Sequence, residues 1–232
     1  MQYNETRKAK ILIVDDHAVV RSGIAMLINQ ENDLLVCCQA SDIQQALTAT
    51  RSCPHDMAIV DLSLNGMSGL ELVKRMQLET PELPILVMSM HDEAVYAEPA
   101  LRAGAHGYLM KQAATDTMLK AIRQILAGEL YVSDQMRSRL LQTMRGSRTE
   151  GSPTSRLTPS EFEVLHLIGL GLGTSDISQK LNRSIKTIES HRANIKRKLN
   201  LKTGNELTHF AFSLTNTTNQ TEPGTSPGES PI

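Results

Sequence analysis

Short apolar runs alternate with helical patterns over the first 130 residues of the chain. The apolar runs, each too short for a helix and suited to a buried strand, cover residues 10–14, 34–39, 57–60, 84–88 and 107–110. Apolar residues with helical spacing follow them in residues 19–27, 43–50, 70–76, 93–103 and 115–126. This alternation predicts an α/β fold: a doubly wound, five-stranded parallel sheet of the flavodoxin-like order 2-1-3-4-5.

The rest of the chain is helical in pattern or polar. Residues 133–144 can extend as a helix, and residues 145–154, with two glycines and one proline, are typical of a flexible linker. Thr158 and Glu161 form a capping-box pattern at the start of a further helical region. Residues 215–232 contain a single apolar residue, Ile232, so we expect this tail to be disordered.

These patterns divide the chain into four parts. We predict an α/β domain at residues 8–130, a helix and flexible linker at 131–155, a small all-α domain of four helices at 156–214, and the tail at 215–232. Charge follows the same division, because residues 1–142 carry 13 Lys and Arg against 17 Asp and Glu, whereas residues 143–214 carry 11 against 6. The basic segment is therefore expected to meet a polyanion.

The cysteines and the apolar runs bear on the compartment. Cys37, Cys38 and Cys53 lack the spacing of metal ligands, which indicates reduced thiols, and the adjacent Cys37 and Cys38 are expected on opposite faces of a strand. The first ten residues are polar and no apolar run approaches the length of a membrane span. We therefore expect a cytoplasmic protein without a membrane partner.

Carboxylates follow two of the predicted strands. Asp61 ends the strand at 57–60, and Asp15 and Asp16 follow the strand at 10–14. In the predicted order these strands are neighbours, so the three carboxylates meet at one rim of the sheet, together with Ser89 and Lys111. Such a cluster suits Mg²⁺ and the transfer of a phosphoryl group to a carboxylate that faces a lysine. The alternative is that Asp15 and Asp16 cap the next helix and Lys111 is a surface charge.

The motifs ILIVDDH, MAIVDLSLNGMSGLEL, LPILVMSMHDE and AGAHGYLMK together resemble, in order and spacing, the receiver domain of two-component response regulators. The resemblance implies that Asp61 is the phosphoacceptor and that Mg²⁺ is the cofactor. It also implies a role for each remaining rim residue: direct metal ligand for Asp16, largely water-mediated ligand for Asp15, carbonyl ligand for Ser63, phosphoryl partner for Lys111, phosphoryl hydrogen-bond donor for Ser89, and moving aromatic switch for Tyr108.

Three positions depart from the receiver pattern. Asn65 and Gln112 stand where receivers commonly have proline, and Pro99 removes a hydrogen bond inside the predicted helix at 93–103. None of them removes a charged group from the rim. Because that helix belongs to the face that receivers commonly use for signalling, the departures concern the output route more than the chemistry.

A basic amphipathic helix is predicted at residues 184–199. Its apolar stripe is Ile185, Ile188, Ile195 and Leu199, and its other side is cationic. The sequence from Leu157 to Ala211 closely resembles the LuxR-type output domain of NarL/FixJ response regulators, which implies that this is a recognition helix in the major groove of double-stranded DNA. The implied DNA-contacting residues are Arg183, Lys186, Glu189, Ser190, Arg192, Ala193, Lys196 and Arg197. A solvated basic face is the alternative. The helix at 204–214 would form the dimer contact.

The two resemblances imply a transcription regulator rather than an enzyme. A sensor histidine kinase would phosphorylate Asp61, the chain would then form a homodimer on DNA, and the acidic receiver would cover part of the recognition helix until that happens. Two other functions stay open. An Asp-nucleophile phosphohydrolase would need an acid/base Asp where this chain has Ser63. A binding module whose receiver takes no phosphate would account for Asn65 and Pro99.

Overall fold

The computed structural model describes residues 7–64, 67–146 and 153–216. An α/β unit forms the first part of the chain, built on one parallel sheet of five strands: β1 (Ala9–Val14), β2 (Leu34–Ala40), β3 (Met57–Asp61), β6 (Ile85–Ser89) and β7 (Gly107–Met110). A short antiparallel pair, β4 (Ser63–Leu64) and β5 (Met67–Ser68), follows β3. The sheet order β2-β1-β3-β6-β7 confirms the predicted flavodoxin-like topology.

Helices connect the strands and then continue into a helical unit. The helices of the α/β unit are α1 (Ala18–Asn29), α2 (Ile43–Ser52), α3 (Gly69–Glu79), α4 (Glu93–Ala103) and α5 (Thr115–Leu126). Next comes α6 (Asp134–Gly146), and the helical unit contains a 3₁₀ turn (Pro153–Arg156), α7 (Pro159–Gly169), α8 (Thr174–Lys180), α9 (Ile185–Leu199) and α10 (Gly204–Asn216). No helix among these described residues is long and apolar enough to cross a bilayer.

The sheet is buried on both faces because its strands alternate apolar side chains between two cores. Ile11, Ile13 and Ile59 pack on the α1 and α5 side, whereas Leu12 and Val60 pack on the side of α2, α3 and α4. This arrangement explains why the strands are continuous apolar runs rather than alternating patterns. The polar residues that follow β1, β3, β6 and β7 therefore collect at the carboxyl-end rim.

Helix α4 is unbroken through Pro99 and ends at Gly104, which has a positive φ of 107°. Asp92 caps its start by accepting a hydrogen bond from the Ala94 backbone N–H. Pro99 lines a cavity between α4 and α7 together with Arg102, Pro159 and Phe162. Pro99 is therefore part of the surface that faces the helical unit.

The helical unit has a small core of its own. Thr158 and Glu161 form the predicted capping box at the start of α7. Buried apolar residues of α7 pack against Ile188 and Ile195 of α9 and against Ala211 of α10. The unit meets the α/β unit through α7, which contacts α3 and β5.

Several sequence-based expectations need correction or lie outside the described residues. The side chains of Cys37 and Cys38 do not point to opposite faces, because the register of β2 on β1 shifts between Ile11 and Leu12 and brings both thiols together. Helix α10 continues to Asn216, two residues into the predicted tail. Asn65, residues 147–152 of the predicted linker and residues 217–232 of the tail lie outside the described residues.

Candidate phosphoryl site and nucleic-acid interface

The carboxylates meet at the rim as predicted. β1 and β3 are paired in register, with Val14 opposite Val60, so Asp15 and Asp61 leave the sheet side by side. Asp15 is 2% exposed and Asp61 is 3% exposed. Two buried carboxylates side by side need a neighbouring cation or a bound proton, because neither can be solvated by water.

Lys111, which follows β7, supplies positive charge to both carboxylates. Its Nζ donates to Asp15 Oδ2 at 2.7 Å and to Asp61 Oδ2 at 2.8 Å. Burial raises the pKa of Asp61 more than these contacts with Lys111 lower it. Asp61 Oδ1 is buried and has no hydrogen-bond partner among the described residues. One oxygen of Asp61 is thus held and the other is free for a further ligand.

Asp16 and His17 complete the acidic cluster. One ligand atom from each of Asp15, Asp16, His17 and Asp61 lies within 4.8 Å of the others. His17 Nδ1 is 2.7 Å from Asp16 Oδ1, and the His17 backbone N–H donates to Asp15 Oδ1 at 2.8 Å. Sequence reasoning missed His17, although it directly follows the two aspartates in the motif ILIVDDH.

Ser89 and Tyr108 lie beside the rim and are linked by His91. The His91 backbone N–H donates to the buried Ser89 Oγ at 3.1 Å, and the Tyr108 hydroxyl donates to the His91 carbonyl oxygen at 2.7 Å. The His91 ring Nε2 lies 3.1 Å from Ser63 Oγ, so its ring reaches the residue two positions after Asp61. No sequence pattern singled out His91, because its role depends on these three contacts.

The His91 ring also reaches the helical unit. It stacks on Tyr96 of α4 with ring centroids 4.6 Å apart, and Tyr96 meets Phe162 and His166 of α7 edge-on at 5.3 Å and 5.0 Å. We call His91, Tyr96, Phe162 and His166 the aromatic contact. It gives a continuous path of packed side chains from Ser89 to α7.

Helix α9 carries the predicted nucleic-acid residues. Ser184 caps it by accepting a hydrogen bond from the Thr187 backbone N–H. Of the eight predicted DNA-contacting residues on or beside α9, six are exposed, five towards the start of the helix and one near its end. Arg192 and Lys196 are partly buried. The exposed residues are Arg183, Lys186, Glu189, Ser190, Ala193 and Arg197. The receiver-like unit therefore leaves the predicted base-contacting positions open in this arrangement and packs on α7 instead.

Known families and proteins share both units. Residues 11–123 match the response regulator receiver domain, and residues 155–211 match the bacterial regulatory proteins of the luxR family. The chain is 36% identical over 209 residues to oxygen regulatory protein NreC of Staphylococcus carnosus, an alignment that covers 88% of this chain and 96% of NreC. The chain belongs to the response regulators of the NarL/FixJ type. NreC of Staphylococcus aureus has the same identity and coverage.

Solved response regulators share the fold of the whole chain. RcsB of Salmonella enterica serovar Typhimurium, bound to promoter rprA with the phosphomimetic BeF₃⁻, has a TM-score of 0.61 at 27% identity, covering 89% of this chain and 99% of RcsB. Another RcsB structure, from Salmonella typhimurium, has a TM-score of 0.64 at 27% identity, covering 90% and 98%. As a NarL/FixJ response regulator, the chain is a DNA-binding transcription regulator activated by phosphorylation.

Proposed function

We propose that Asp61 is the phosphoacceptor and that a sensor histidine kinase is its donor. The observation that carries this proposal is the buried Asp61 carboxylate, with Oδ2 at 2.8 Å from Lys111 Nζ and Oδ1 without a hydrogen-bond partner in the described part of the chain. A carboxylate oxygen attacks the phosphorus of the phosphohistidine, an O–P bond forms, and the N–P bond breaks with its electron pair going to the imidazole. The Lys111 ammonium group stabilises charge on the phosphoryl oxygens.

We propose further that Mg²⁺ binds at this rim, held by Asp15, Asp16, Asp61 and the Ser63 carbonyl oxygen. The close carboxylates and the unpartnered Asp61 Oδ1 support this fit, because a hard cation prefers oxygen ligands. When bound, the ion would neutralise charge on the reacting oxygens. Asp16 is proposed as the direct ligand, since Asp15 already accepts hydrogen bonds from Lys111 and His17.

Phosphorylation would reach the helical unit through Ser89. In our proposal the Ser89 hydroxyl donates to the phosphoryl group and gives up the hydrogen bond it accepts from His91. Because His91 also accepts from the buried Tyr108 hydroxyl and stacks on Tyr96, its movement would disturb the aromatic contact with α7. Tyr108 is the second switch residue, since its ring is fully buried and must follow any shift of the His91 backbone.

The docked arrangement is proposed to inhibit DNA binding through α7. α7 packs on α3 and β5, and the Ser68 side of β5 shares a small cavity with Arg183 and His191, beside the start of α9. Docking would thus fix the helical unit against the receiver and crowd the N-terminal end of the recognition helix, while six of the eight proposed DNA-contacting residues stay exposed. The proposal keeps the expectation that the receiver covers part of the recognition helix, and it makes α7 the main docking surface.

The released helical unit would bind double-stranded DNA as a homodimer. Base edges are proposed to meet Glu189, Ser190 and Ala193, and cationic residues of the α9 region to meet phosphates or guanines. These cations are Arg183, Lys186, Arg192, Lys196 and Arg197. The α10 helix is the proposed dimer contact, which the 57% exposure of Phe212 supports.

We also propose how the chain is divided into domains and that it belongs to the regulators rather than the enzymes. We retain the division into a receiver at 8–130, a connecting segment at 131–155, the DNA-binding domain at 156–214 and a tail at 215–232, in a cytoplasmic protein. We also propose that the chain is not an enzyme on external substrates. The residue two positions after Asp61 is Ser63, which cannot act as the acid/base carboxylate of a phosphohydrolase.

Labelling with a phosphoryl donor tests the central proposal. With Mg²⁺ present, the unmodified chain should take up label from a phosphorylated histidine kinase or a small-molecule donor, and Asp61→Asn should take up none. Asp134→Asn is the matched control, because its side chain is 97% exposed and distant from the rim. Label that persisted in Asp61→Asn would place the acceptor elsewhere.

A further inference from the structure

A second group of possible metal ligands lies away from the carboxylate rim. Between Ile11 and Leu12 the partner residue on β2 changes from Val36 to Cys38, so Cys37 forms a bulge with no partner on β1. A bulge turns neighbouring side chains out of their normal alternation. As a result, ligand atoms of Cys37, Cys38 and His55 all lie within 4.8 Å of one another.

Cys53 joins this group. Its thiol interacts with that of Cys38, whose pKa is raised to about 11 by burial and then by the neighbouring thiols of Cys37 and Cys53. All three cysteines are free, and Cys37 and Cys53 are exposed, which leaves the group open to an ion from solution. The sequence spacing hid this arrangement, because two ligands come from a strand and two from the segment before another strand.

His55 has a ring nitrogen that is available to a metal ion. Its Nε2 is buried and has no hydrogen-bond partner among the described residues, while the side chain hydrogen-bonds to the backbone of Cys53. By elimination Nδ1 makes that bond. A histidine ligand usually donates its second ring nitrogen to a backbone carbonyl or a carboxylate, which fixes the ring and leaves the other nitrogen for the metal.

We propose that Cys37, Cys38, Cys53 and His55 form a binding site for a zinc-class divalent cation at the edge of the receiver sheet. Three sulfur ligands and one imidazole match a closed tetrahedral zinc site, in which ligand atoms are roughly 3.5–3.8 Å apart. For Cys37, Cys38 and His55 a contraction of about 1 Å from the 4.8 Å limit is sufficient to reach that geometry, and Cys53, beside Cys38, would move in as the fourth ligand. Mg²⁺ would select the carboxylate rim instead, because it prefers oxygen ligands.

A bound ion would link the edge strand β2 to the segment between α2 and β3. Cys37 and Cys38 belong to β2, the edge strand, whereas Cys53 and His55 lie between α2 and β3. The bound ion would therefore stabilise the receiver by mass action without touching the phosphoryl site at the opposite end of β3. The proposal does not depend on phosphorylation of Asp61.

Cobalt provides a spectroscopic test on the full chain, purified reduced and free of metal. Co²⁺ should bind at one equivalent and give thiolate-to-cobalt charge-transfer absorption, and Zn²⁺ should displace it and raise the unfolding temperature. His55→Gln and Cys38→Ser should each weaken Co²⁺ binding by roughly tenfold or more, since each removes one of four ligands. Asp16→Asn, at the carboxylate rim, should leave the thiolate absorption unchanged.

Three results would overturn the proposal. One is the absence of thiolate-to-cobalt absorption in the reduced full chain. Another is thiolate-to-cobalt absorption of unchanged strength and Co²⁺ affinity in His55→Gln, which would show that His55 is not a ligand. The third is a disulfide that forms completely between two of these cysteines even with Zn²⁺ in excess, which would make the group a redox pair. Circular dichroism of each variant separates loss of binding from loss of folding.

Discussion

At the scale of single residues, the site depends on the different environments of the two Asp61 oxygens. Oδ2 is held by Lys111, and Oδ1 is buried with no hydrogen-bond partner in residues 7–64, 67–146 and 153–216. The backbone that follows Asp61 is also held in place, because the Gly69 N–H donates to the Leu62 carbonyl oxygen at 2.8 Å. A methyl group on Gly69 would collide with the Asp61 carbonyl oxygen and the Leu62 Cα. Only glycine fits there.

Gly69→Ala should therefore impair phosphorylation while leaving all charged groups in place. The added methyl must displace the backbone of Asp61 and Leu62. A misplacement of about 1 Å can slow a positioned reaction by up to about 100-fold. We expect the initial rate of labelling from a small-molecule donor to fall by at least about tenfold. Gly23→Ala is the control, since nothing lies within 4 Å of the added methyl. Equal rates for both variants would contradict the role of Gly69.

At the scale of elements, one cation of α9 stabilises the helical unit itself. Lys198 Nζ lies 2.6 Å from Oε2 of Glu161, which is 3% exposed and also caps α7. Burial raises the pKa of Glu161, but the hydrogen bonds from Lys198 and Thr158 lower it by a larger amount. The pKa is therefore below its usual value, and the carboxylate stays ionised. Lys198 therefore joins α9 to α7, whereas Lys196 and Arg197 remain available for phosphates.

Lys196→Ala and Glu189→Ala should have different effects on DNA binding. Lys196→Ala should weaken binding to all sequences alike and reduce the slope of log affinity against log salt by about one, because one phosphate contact is lost. Glu189→Ala should alter sequence preference, measured by selection from a random DNA pool. Lys198→Ala, the matched control, should instead lower the free energy of unfolding by about 1–3 kcal/mol, because Glu161 loses its partner. A change of preference in Lys196→Ala alone would reverse the assignment of the groove contacts.

The elements that the sequence predicted well are those with a clear apolar period. The five strands of the sheet and the helices α4 and α5 follow from apolar runs and helical spacing, and the capping box at Thr158 marks the start of α7. The pair β4 and β5 was not predicted, because two-residue strands have no period. The bulge at Cys37 and the aromatic contact were missed for a different reason. Both depend on which distant residues come together, which one-dimensional patterns do not contain.

At the scale of the whole molecule, charge does not explain how the two units meet. The net charges of the two parts suggested that the acidic receiver docks on the basic helical unit and covers part of α9. The structure joins them through the aromatic contact instead, and Lys186 and Arg197 of α9 stay exposed. Aromatic rings can be buried at little cost, whereas burying several lysines requires paired partners for each.

Titratable groups at this contact act in opposite directions. Burial, with a smaller effect of His91 and Lys180, lowers the pKa of His166 from 6.5 to about 4. Burial likewise lowers the pKa of His91. Glu163 behaves oppositely, because burial raises its pKa from 4.5 to about 7 despite a hydrogen bond with Ser68 of the receiver. The docked state thus disfavours protonated histidine and favours protonated glutamate.

The signs of these shifts predict a compensated pH dependence of docking. Between about pH 4 and 6.5, His166 is protonated in the undocked state and neutral in the docked state. Its contribution to docking is therefore fully present above pH 6.5 and is lost as the pH falls towards 4. Between pH 4.5 and 7 the docked Glu163 holds a proton that the undocked one releases, so its contribution grows as pH falls. The unmodified chain should therefore show a weak dependence.

Single variants should separate the two contributions. In Glu163→Gln the histidines act alone, so the radius of gyration from small-angle scattering should rise as pH falls from about 7 to about 5. In His166→Gln the dependence should shift the other way, towards tighter docking at low pH, and DNA affinity should fall with it. Asp134→Asn, exposed and outside the contact, should match the unmodified chain. If both variants kept the pH dependence of the unmodified chain, docking through α7 would not involve these groups, and the inhibited state would have to rest on another surface.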